Sequence, residues 1–377
     1  MSRRPEPEVL ILGGGPAGLA TALACHQQGL RAMVVDRSKP PLDKACGEGL
    51  MPDGRQSLER LGVRLDAEDL EPFRGIRYVD GEVVAEGRFP GQSGAGVRRT
   101  RLHRAMVHRA EEVGVERLWG TKVESLVWEG RKVTGVQTVA SEVIPCRWLV
   151  GADGLRSKVR RWCGLDGSQK GTRRFGVRRH YKIAPWADVV EVHWAEGLEA
   201  YVTPVAPGEV GVAILWSGRK AHFDDLLASF PKLVSRLRGV PACSRDRGSG
   251  PLRQRVRSAV QANVALVGDA AGYVDAITGE GLSVAFHQAE ALAQALAEGE
   301  LATYSREARR LARLPDGMTH LLLWVERHPW IRRRVIAALA REPQIFDRLL
   351  AVHTREIPVR QMGWRTAPRL LWGMARG

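Results

Sequence analysis

Three glycines follow a short apolar run near the start of the chain. Gly13, Gly15 and Gly18 have the spacing G-x-G-x-x-G and separate apolar residues 9–12 from a helix-forming run that continues to residue 24. In a strand–turn–helix unit with this spacing, Gly13 permits the tight turn, Gly15 lets the backbone approach a pyrophosphate, and Gly18 lets the helix pack on the strand. The helix N-terminus adds unpaired N–H groups and a partial positive charge. The spacing therefore predicts a dinucleotide-binding turn.

An acidic residue follows this turn at about the twenty-residue spacing that the unit requires. A second apolar run, residues 31–35, ends at Asp36. A carboxylate there accepts hydrogen bonds from the hydroxyl groups of a ribose. Asp36 argues against a 2′-phosphate on that ribose, although Arg37 beside it is the kind of residue that accommodates one. The pattern leaves open which dinucleotide binds.

Two more glycine-rich junctions follow short strand patterns. Residues 148–150 lead into the motif G-A-D-G, which places Asp153 at the C-terminal end of a strand, where α/β proteins bind ligands. Residues 264–267 end at the motif G-D-A-A-G, which contains Asp269. The chain is therefore expected to return to its first domain over residues 258–300.

The remaining pattern alternates between strands and helices. Residues 73–89 predict a hairpin with Asp80-Gly81 at its turn. Short β-branched and aromatic segments without a long helix between them predict an antiparallel sheet from about residue 174 to residue 216. The predicted strands cover residues 115–118, 122–128, 133–139, 174–182, 189–194, 199–203 and 210–216, and the predicted helices cover residues 54–61, 99–110, 223–237 and 281–297.

The C-terminal part, from about residue 305 to residue 377, mixes large apolar side chains with many arginines. Prolines at 315, 329, 343, 358 and 368 predict that it is cut into short helices. Such a basic amphipathic region fits contact with a membrane or a lipid-like substrate. It also fits a helical lid on the substrate domain whose arginines lie in water, and this interpretation is favoured.

These patterns predict an α/β protein, α+β overall, in which a Rossmann-type domain is interleaved with an antiparallel-sheet domain. A chain of 377 residues also exceeds one ordinary core. The predicted domains are residues 1–72, 97–172 and 258–300 for cofactor binding, residues 73–96 and 173–257 for the substrate sheet, and residues 301–377 for the helical C-terminal region.

The composition is that of a globular protein, with 44% hydrophobic and 26% charged residues. Five cysteines without a C-x-x-C pair predict reduced thiols in the cytoplasm and argue against a zinc site. The N-terminus lacks the apolar core of a signal peptide. The net charge of +15 is spread along the chain without a nucleic-acid-binding module, which favours a solvated surface and no nucleic-acid partner.

The three junctions, in this order, resemble those of a flavin-dependent family that includes para-hydroxybenzoate-type hydroxylases, geranylgeranyl reductases and flavin-dependent halogenases. The resemblance covers at least residues 8–297 and implies FAD as the cofactor. It implies that the first turn binds the ADP half, that Asp153 lies near the pyrophosphate and the path of the reductant, and that Asp269 binds the ribityl chain. Arg99, at the start of a predicted helix, resembles the arginine with which the family meets the flavin phosphates.

The reduced flavin ring needs N–H groups near it, which a helix start at residues 279–282 would supply. No catalytic residue and no metal ligand is predicted. The predicted cofactor-binding residues are Gly13, Gly15, Pro16, Ala17, Gly18, Asp36, Arg37, Cys46, Gly47, Arg99, Val123, Asp153, Gly268, Asp269, Gly279, Glu280, Gly281 and Leu282.

Two stretches bear on the type of flavin chemistry. Residues 46–50 and 271–281 resemble geranylgeranyl-reductase-like sequences more than phenol hydroxylases, although Ala276 stands where both groups usually place proline. The W-x-W-x-I-P stretch of halogenases does not occur in the sequence. A second complete dinucleotide fingerprint is also absent, which argues against disulfide reductases of the two-dinucleotide type.

The preferred interpretation is a cytoplasmic, NAD(P)H-dependent monooxygenase that hydroxylates a hydrophobic aromatic or polyketide-like metabolite, with or without contact to a membrane. The alternative is a reductase of prenyl or polyene double bonds, in which Cys46 is either the proton-donating acid or simply a small residue that faces the flavin. A flavin- or lipid-binding protein without turnover is the third interpretation. His180, Tyr201 and Trp216 lie on the predicted substrate sheet, where alternate residues face opposite sides. The substrate, the choice between NADH and NADPH and the oligomeric state are not predicted.

Overall fold

The computed structural model describes residues 7–169, 173–218 and 220–362. The predicted helices beyond residue 362, the expected break at Pro368 and the N-terminal residues 1–6 lie outside these ranges. Within them, no helix combines the length and apolar character needed to cross a membrane. The strands are β1 (Val9–Leu12), β2 (Ala32–Asp36), β3 (Gly49–Leu50), β4 (Leu70–Phe73), β5 (Gly75–Asp80), β6 (Val83–Arg88), β7 (Gly94–Val97), β8 (Glu116–Trp119), β9 (Val123–Glu129), β10 (Lys132–Thr138), β11 (Val143–Pro145), β12 (Trp148–Gly151), β13 (Arg174–Tyr181), β14 (Val190–Ala195), β15 (Leu198–Ala206), β16 (Glu209–Ser217), β17 (Arg247–Ser249), β18 (Val260–Gln261) and β19 (Val264–Leu266). The helices are α1 (Pro16–Gln27), α2 (Pro52–Arg60), α3 (Arg99–Glu112), α4 (Lys158–Trp162), α5 (Phe223–Leu227), α6 (Pro231–Leu237), α7 (Gly281–Ala297), α8 (Leu301–Glu326), α9 (Pro329–Arg341) and α10 (Pro343–His353), with short 3-10 turns at Ala67–Asp69, Gly268–Ala271 and Val359–Met362.

Strand β1 lies inside a six-stranded sheet with the order β18-β19-β12-β1-β2-β8. The strands from β19 to β8 are parallel, and β18 adds an antiparallel edge. Because parallel strands point the same way, the C-terminal ends of β1, β12 and β19 lie side by side. All three glycine-rich junctions therefore meet at one edge of this sheet, where doubly wound sheets bind ligands.

Both faces of this sheet are covered. Val9 and Ile11 pack against apolar side chains of α1, α3 and α7, whereas Leu10 and Leu12 pack against a second, antiparallel sheet of order β11-β10-β9. Burial on both faces explains why β1 is an uninterrupted apolar run and not an alternating one.

A seven-stranded sheet of order β17-β13-β16-β15-β14-β5-β6 forms the other half of the fold. Its pairs are antiparallel except that β5 runs parallel to β14, with Ile76 opposite Val190. The prediction of a purely antiparallel sheet was therefore wrong at this point. Strands β5 and β14 are far apart in the chain and are not joined by a hairpin turn. No short connection therefore forces β5 to run antiparallel to β14.

Two predicted helical boundaries were also wrong. The single helix expected over residues 223–237 is two helices, α5 and α6, because Pro231 cannot continue α5 and instead begins α6. Pro315, expected to end a helix, lies inside α8. Proline has no N–H for the carbonyl of Leu311 four residues earlier, and the Nη2 atom of Arg355 donates to that carbonyl at 3.0 Å instead.

The two large sheets, with the helices around them, agree with the predicted α/β class. Helix α7 coincides with the helix expected over residues 281–297, and the hairpin turn lies between β5 and β6 as expected. The domain boundaries given above stay predictions.

Candidate functional site

One cavity of about 1130 Å³ runs between the parallel sheet, the seven-stranded sheet and the C-terminal helices. Small-molecule pockets usually have about 300–1,000 Å³, so the cavity has room for a large cofactor and part of a second ligand. We call its two parts the turn end, lined by the glycine-rich junctions, and the apolar arm, lined by β5, β14, β15 and α8–α10.

The glycine turn at the turn end is tight on two sides and open on the third. A Cβ on Gly13, whose φ is +115°, would lie 2.4 Å from the carbonyl oxygen of Ala152, and a Cβ on Gly18 would lie 1.8 Å from the carbonyl oxygen of Gly13. A Cβ on Gly15 would meet nothing closer than the Nη2 atom of Arg99, at 3.7 Å. Gly13 and Gly18 thus serve the close packing of the backbone, whereas Gly15 faces open cavity.

Asp36 and Gly14 support this turn from behind. The carboxylate of Asp36 accepts hydrogen bonds from the N–H of Gly14 at 2.8 Å and the N–H of Ser38 at 2.7 Å. A Cβ on Gly14 would lie 2.2 Å from the ring of Trp119, so this position has no room for a side chain. Asp36 is not on the cavity wall. The requirement for glycine at position 14 depends on a side chain more than a hundred residues away, and no local signal in the sequence reports it.

Asp153 has one engaged and one unsatisfied carboxylate oxygen. Its Oδ2 atom accepts from the N–H of Lys158 at 2.6 Å and from the N–H of Val159 at 3.3 Å, at the start of α4. Its Oδ1 atom is buried and has no hydrogen-bond partner within the described ranges. Since Asp153 lines the cavity, this oxygen is an acceptor that a bound ligand can satisfy.

Cations converge on the same end of the cavity. Arg99 and Lys44 both line it, and the Nε atom of Arg99 is buried without a hydrogen-bond partner in the described part of the chain. Burial, reinforced by the charge of Arg99, lowers the pKa of Lys44. Burial raises the pKa of Asp269, and the positive charges of Arg99, Lys44 and Arg160 oppose that shift. Space in front of Gly15, two cations and unsatisfied polar atoms fit the pyrophosphate and hydroxyl groups of FAD.

Glu48 holds the loop that follows β2 against the seven-stranded sheet. This residue is 3% exposed and has a φ of +61°, an uncommon conformation for a residue with a long side chain. Its Oε1 atom accepts from the N–H of Arg99 at 2.8 Å and lies 3.6 Å from the Nε atom of Arg178. Its Oε2 atom contacts the Nε2 atom of His180, whose Nδ1 atom lies 2.8 Å from the hydroxyl of Ser244. His180 is therefore fully buried beneath the site and is not on the cavity wall.

A buried acid–base pair lies behind the helix start at residues 279–282. The Oε2 atom of Glu280 is 3.5 Å from the Nδ1 atom of His353, and the Nε2 atom of His353 donates to the carbonyl of Thr278 at 3.1 Å. Burial, helped by the charge of Asp53, raises the pKa of Glu280 to about 8. Burial lowers the pKa of His353 to about 4. Both side chains are then neutral at pH 7.

Aromatic and aliphatic side chains form the apolar arm. The hydroxyl of Tyr201 donates to the carbonyl of Ile277 at 2.9 Å, so it is engaged by the protein. Trp216 faces the opposite side of the sheet, where it packs in the core beneath α5 and α6. The arm is lined by Phe73, Ile76, Tyr78, Val190, Val192, Trp194, Tyr201, Leu321, Leu322, Trp324, Val325, Trp330, Ile331, Val335, Ile336, Leu339, Phe346, Leu349 and Leu350.

A buried ionic cluster joins the floor of the cavity to α8. The Nη2 atom of Arg174 lies 2.7 Å from Glu199, its Nε atom lies 3.0 Å from Asp275, and its Nη1 atom lies 3.8 Å from Glu326. Burial raises the pKa of Glu199 to about 8 despite the attraction of Arg174. The cluster links β13, β15, the loop before α7 and the end of α8.

The structure brings most of the predicted cofactor-binding residues to one cavity wall. Val123 is the clearest exception, because it lies in β9 and packs against the core between the two sheets of the cofactor half. Glu48, His353 and Lys44 were missed. The predicted residues on the wall are Gly15, Pro16, Ala17, Arg37, Cys46, Gly47, Arg99, Asp153, Gly268, Asp269, Gly279, Gly281 and Leu282, and those off it are Gly13, Gly18, Asp36, Val123 and Glu280.

Known proteins match the chain in both sequence and fold. The family described as "FAD binding domain" matches residues 6–223. The menaquinone reductase of Mycobacterium tuberculosis is 29% identical over 342 residues, which cover 83% of this chain and 80% of that protein. The digeranylgeranylglycerophospholipid reductase 1 of Methanococcoides burtonii is 26% identical over 342 residues, covering 79% of this chain and 77% of that protein.

A solved structure described as a flavoprotein/dehydrogenase from Cytophaga hutchinsonii superposes with a TM-score of 0.79 over 93% of both chains at 19% identity. At this identity the likeness shows the fold, and it confirms the predicted Rossmann-type flavoprotein architecture.

Proposed function

We propose that this chain, which belongs to the FAD binding domain family of FAD-dependent oxidoreductases, reduces carbon–carbon double bonds of a long, apolar, isoprenoid-like molecule. The observation that carries the proposal is the continuity of the cavity. One space joins the turn end, whose residues fit FAD, to an apolar arm walled by three C-terminal helices. The two relatives named above are both reductases by name, which supports the same choice.

The turn end would hold the cofactor. We assign the pyrophosphate of FAD to the open face of Gly15 and the guanidinium of Arg99. We assign the ribityl chain of FAD, which carries hydroxyl groups, to the carboxyl groups of Asp153 and Asp269. When bound, FAD supplies the two-electron redox chemistry of such a reduction, with NAD(P)H as the proposed electron source.

To saturate a double bond, the protein's own side chains must supply one proton. Cys46 lines the cavity, and burial raises the pKa of its thiol, so Sγ carries a proton at neutral pH. Its Sγ atom also accepts the N–H of Glu48 at 3.4 Å, which orients the side chain. We assign Cys46 Sγ as the proton donor to the substrate carbon.

The apolar arm would bind the chain of the substrate. Its aliphatic walls come from helices α8–α10, and contacts with them would exclude water from the reacting carbons. The buried Arg174 cluster keeps the end of α8 in place against the substrate sheet.

A monooxygenase acting on an aromatic ring is the second candidate. It is favoured by the aromatic side chains within the same arm, where the rings of Tyr78 and Phe346 lie 4.9 Å apart and that of Tyr78 meets Trp194 at 5.9 Å. An aromatic substrate would stack or meet edge-to-face with them.

The experiment is turnover of the FAD-loaded protein with NADH or NADPH and prenylated quinones, with and without oxygen, followed by mass spectrometry. The reductase predicts oxygen-independent products heavier by two hydrogen atoms per saturated bond. Products heavier by one oxygen atom, formed only in air, would establish the monooxygenase. Bound FAD without consumption of NADH or NADPH, across prenylated and aromatic substrates, would favour a binding protein without turnover.

The role of Cys46 is tested separately. Cys46→Ala should retain FAD and reduce the rate at saturating substrate by about a hundredfold, the usual scale of general acid catalysis. Cys46→Ser keeps the size of the side chain and serves as its control. An unchanged rate in Cys46→Ala would leave Cys46 as a small wall residue.

A further inference from the structure

We propose that the corner between α8 and α9 docks on an anionic lipid bilayer and places the mouth of the cavity against the lipid. We define the α8–α9 corner as residues 320–334. This inference concerns binding and does not depend on which oxidoreductase reaction the site performs.

Three large apolar side chains are exposed at the corner. Leu321 is 59% exposed, Trp324 is 48% exposed and Trp330 is 65% exposed. All three also line the cavity, so they form its mouth. Soluble proteins rarely leave such residues clustered in water without a partner, and tryptophan favours the interface between lipid and water.

The exposed charges within the α8–α9 corner are of one sign. Between residues 317 and 341 the sequence has a single acidic residue, Glu326, and this residue is 4% exposed and faces Arg174 inside the protein. Arg327 and Arg333 are exposed. Arg334 lies over the ring of Trp330, with its guanidinium carbon 4.2 Å from the ring centre. Exposed tryptophan surrounded by arginine is complementary to the headgroups of an anionic bilayer.

A neighbouring loop extends this positive surface. Burial lowers the pKa of Arg253, and the charges of Arg255 and Arg327 lower it further, so these three arginines lie close together. The Nε atom of Arg253 has no hydrogen-bond partner in the parts of the chain described. Anionic headgroups would reduce this repulsion, which a neutral surface would not.

The position of the cavity favours a bilayer over a folded acidic protein. The exposed apolar residues are not an isolated patch but the outer end of an apolar channel that continues inward between α8, α9 and the substrate sheet. A molecule dissolved in lipid would enter this channel without passing through water. A folded acidic protein at the corner would instead cover the mouth.

The test is co-sedimentation of the full-length, FAD-loaded protein with vesicles of phosphatidylcholine alone and with added phosphatidylglycerol. Binding should require the anionic lipid and weaken as salt is raised. Trp324→Ala/Trp330→Ala should lower the partition constant about tenfold or more. Arg333→Gln should lower it about fivefold, the effect of one charge near an anionic surface.

Matched control residues lie outside the corner, in the three-stranded sheet of order β11-β10-β9. Trp128, in β9, is 41% exposed, and Arg131, between β9 and β10, is exposed as well, yet neither lines the cavity. Trp128→Ala and Arg131→Gln should bind vesicles as the wild type does. Failure of the wild type to sediment with anionic vesicles, or equal losses in the corner and control variants, would overturn the proposal.

Discussion

The two ends of the cavity are built in different ways. At the turn end, the shape of the backbone determines the site. Gly13 and Gly18 lie where the packed backbone leaves no room for a side chain, whereas Gly15 lies where the cavity leaves room for a ligand. In the apolar arm, side chains from strands and helices far apart in the sequence decide it. The cofactor end therefore tolerates almost no change at a few positions, whereas the arm can change its shape through many small substitutions.

The largest expected effect comes from a substitution that removes the Arg174 cluster, which joins the two ends of the cavity. Arg174→Met leaves three buried carboxyl groups without their shared cation and should lower the free energy of unfolding by about 3–5 kcal/mol, as measured by chemical denaturation. Arg310, largely exposed on α8, pairs with Glu307 of the same helix, so Arg310→Met should lower it by less than about 1 kcal/mol. Equal losses in the two variants would show that the Arg174 cluster does not hold the ends together.

The next effect separates binding from folding at the turn end. Gly15→Val places methyl groups in open cavity, so the flavin-free variant should unfold at the same temperature as the flavin-free wild type but bind FAD at least about tenfold more weakly. The ratio of flavin absorbance to protein absorbance measures this. Gly208→Ala, in an exposed turn where a Cβ meets nothing within 4 Å, is the control and should keep its flavin. Stoichiometric FAD in Gly15→Val would refute the placement of the pyrophosphate.

The buried pair behind the turn predicts a pH dependence. Glu280 has a pKa of about 8 in the folded protein against 4.5 usually, so the folded state holds a proton that the unfolded chain releases, and stability falls as pH rises between these values. His353, with a pKa of about 4 against 6.5, acts in the opposite direction, but only between pH 4 and pH 6.5. From pH 6.5 to pH 8 His353 no longer contributes, and the fall in stability comes from Glu280 together with Glu199, whose pKa is also about 8.

Glu280→Gln keeps the shape of the neutral acid and removes its titration. Wild-type protein should lose about 2 kcal/mol of unfolding free energy relative to this variant between pH 6.5 and pH 8. Asp53, Asp316 and Arg355 also act on Glu280 and remain in both proteins, so the difference isolates the one carboxyl. Parallel stability curves for the two proteins across this range would contradict the neutral state assigned to Glu280.

The smallest expected effect lies in the apolar arm. Tyr201→Phe removes the hydrogen bond to the carbonyl of Ile277 and should lower unfolding free energy by about 1 kcal/mol, while FAD content stays unchanged. A loss of FAD in this variant would mean that a change in the apolar arm also alters cofactor binding at the turn end. Thermal unfolding followed at the flavin and protein absorbance bands measures both quantities at once.

Structural features could be predicted from the sequence where a few neighbouring residues determine them. The turn at Gly13, the helix from residue 281 and the hairpin at Asp80-Gly81 each follow from the backbone freedom or periodicity of a few neighbouring residues. The contact of Glu48 with His180 and that of Glu280 with His353 join segments that only the tertiary fold brings together. Pro315 was misjudged for the same reason, because Arg355 from a distant turn satisfies the carbonyl that the proline leaves free.

The order of the strands in the parallel sheet has a consequence for the synthesis of the protein. Strand β19 inserts beside β12 and carries Asp269 at its end, yet it is made only after the whole seven-stranded sheet. A nascent chain shorter than about residue 270 therefore has the glycine turn but exposes the edge of β12, where another strand can pair wrongly. Capture of the flavin is then a late event on the ribosome, and chaperones that shield unpaired strands are expected to act before it.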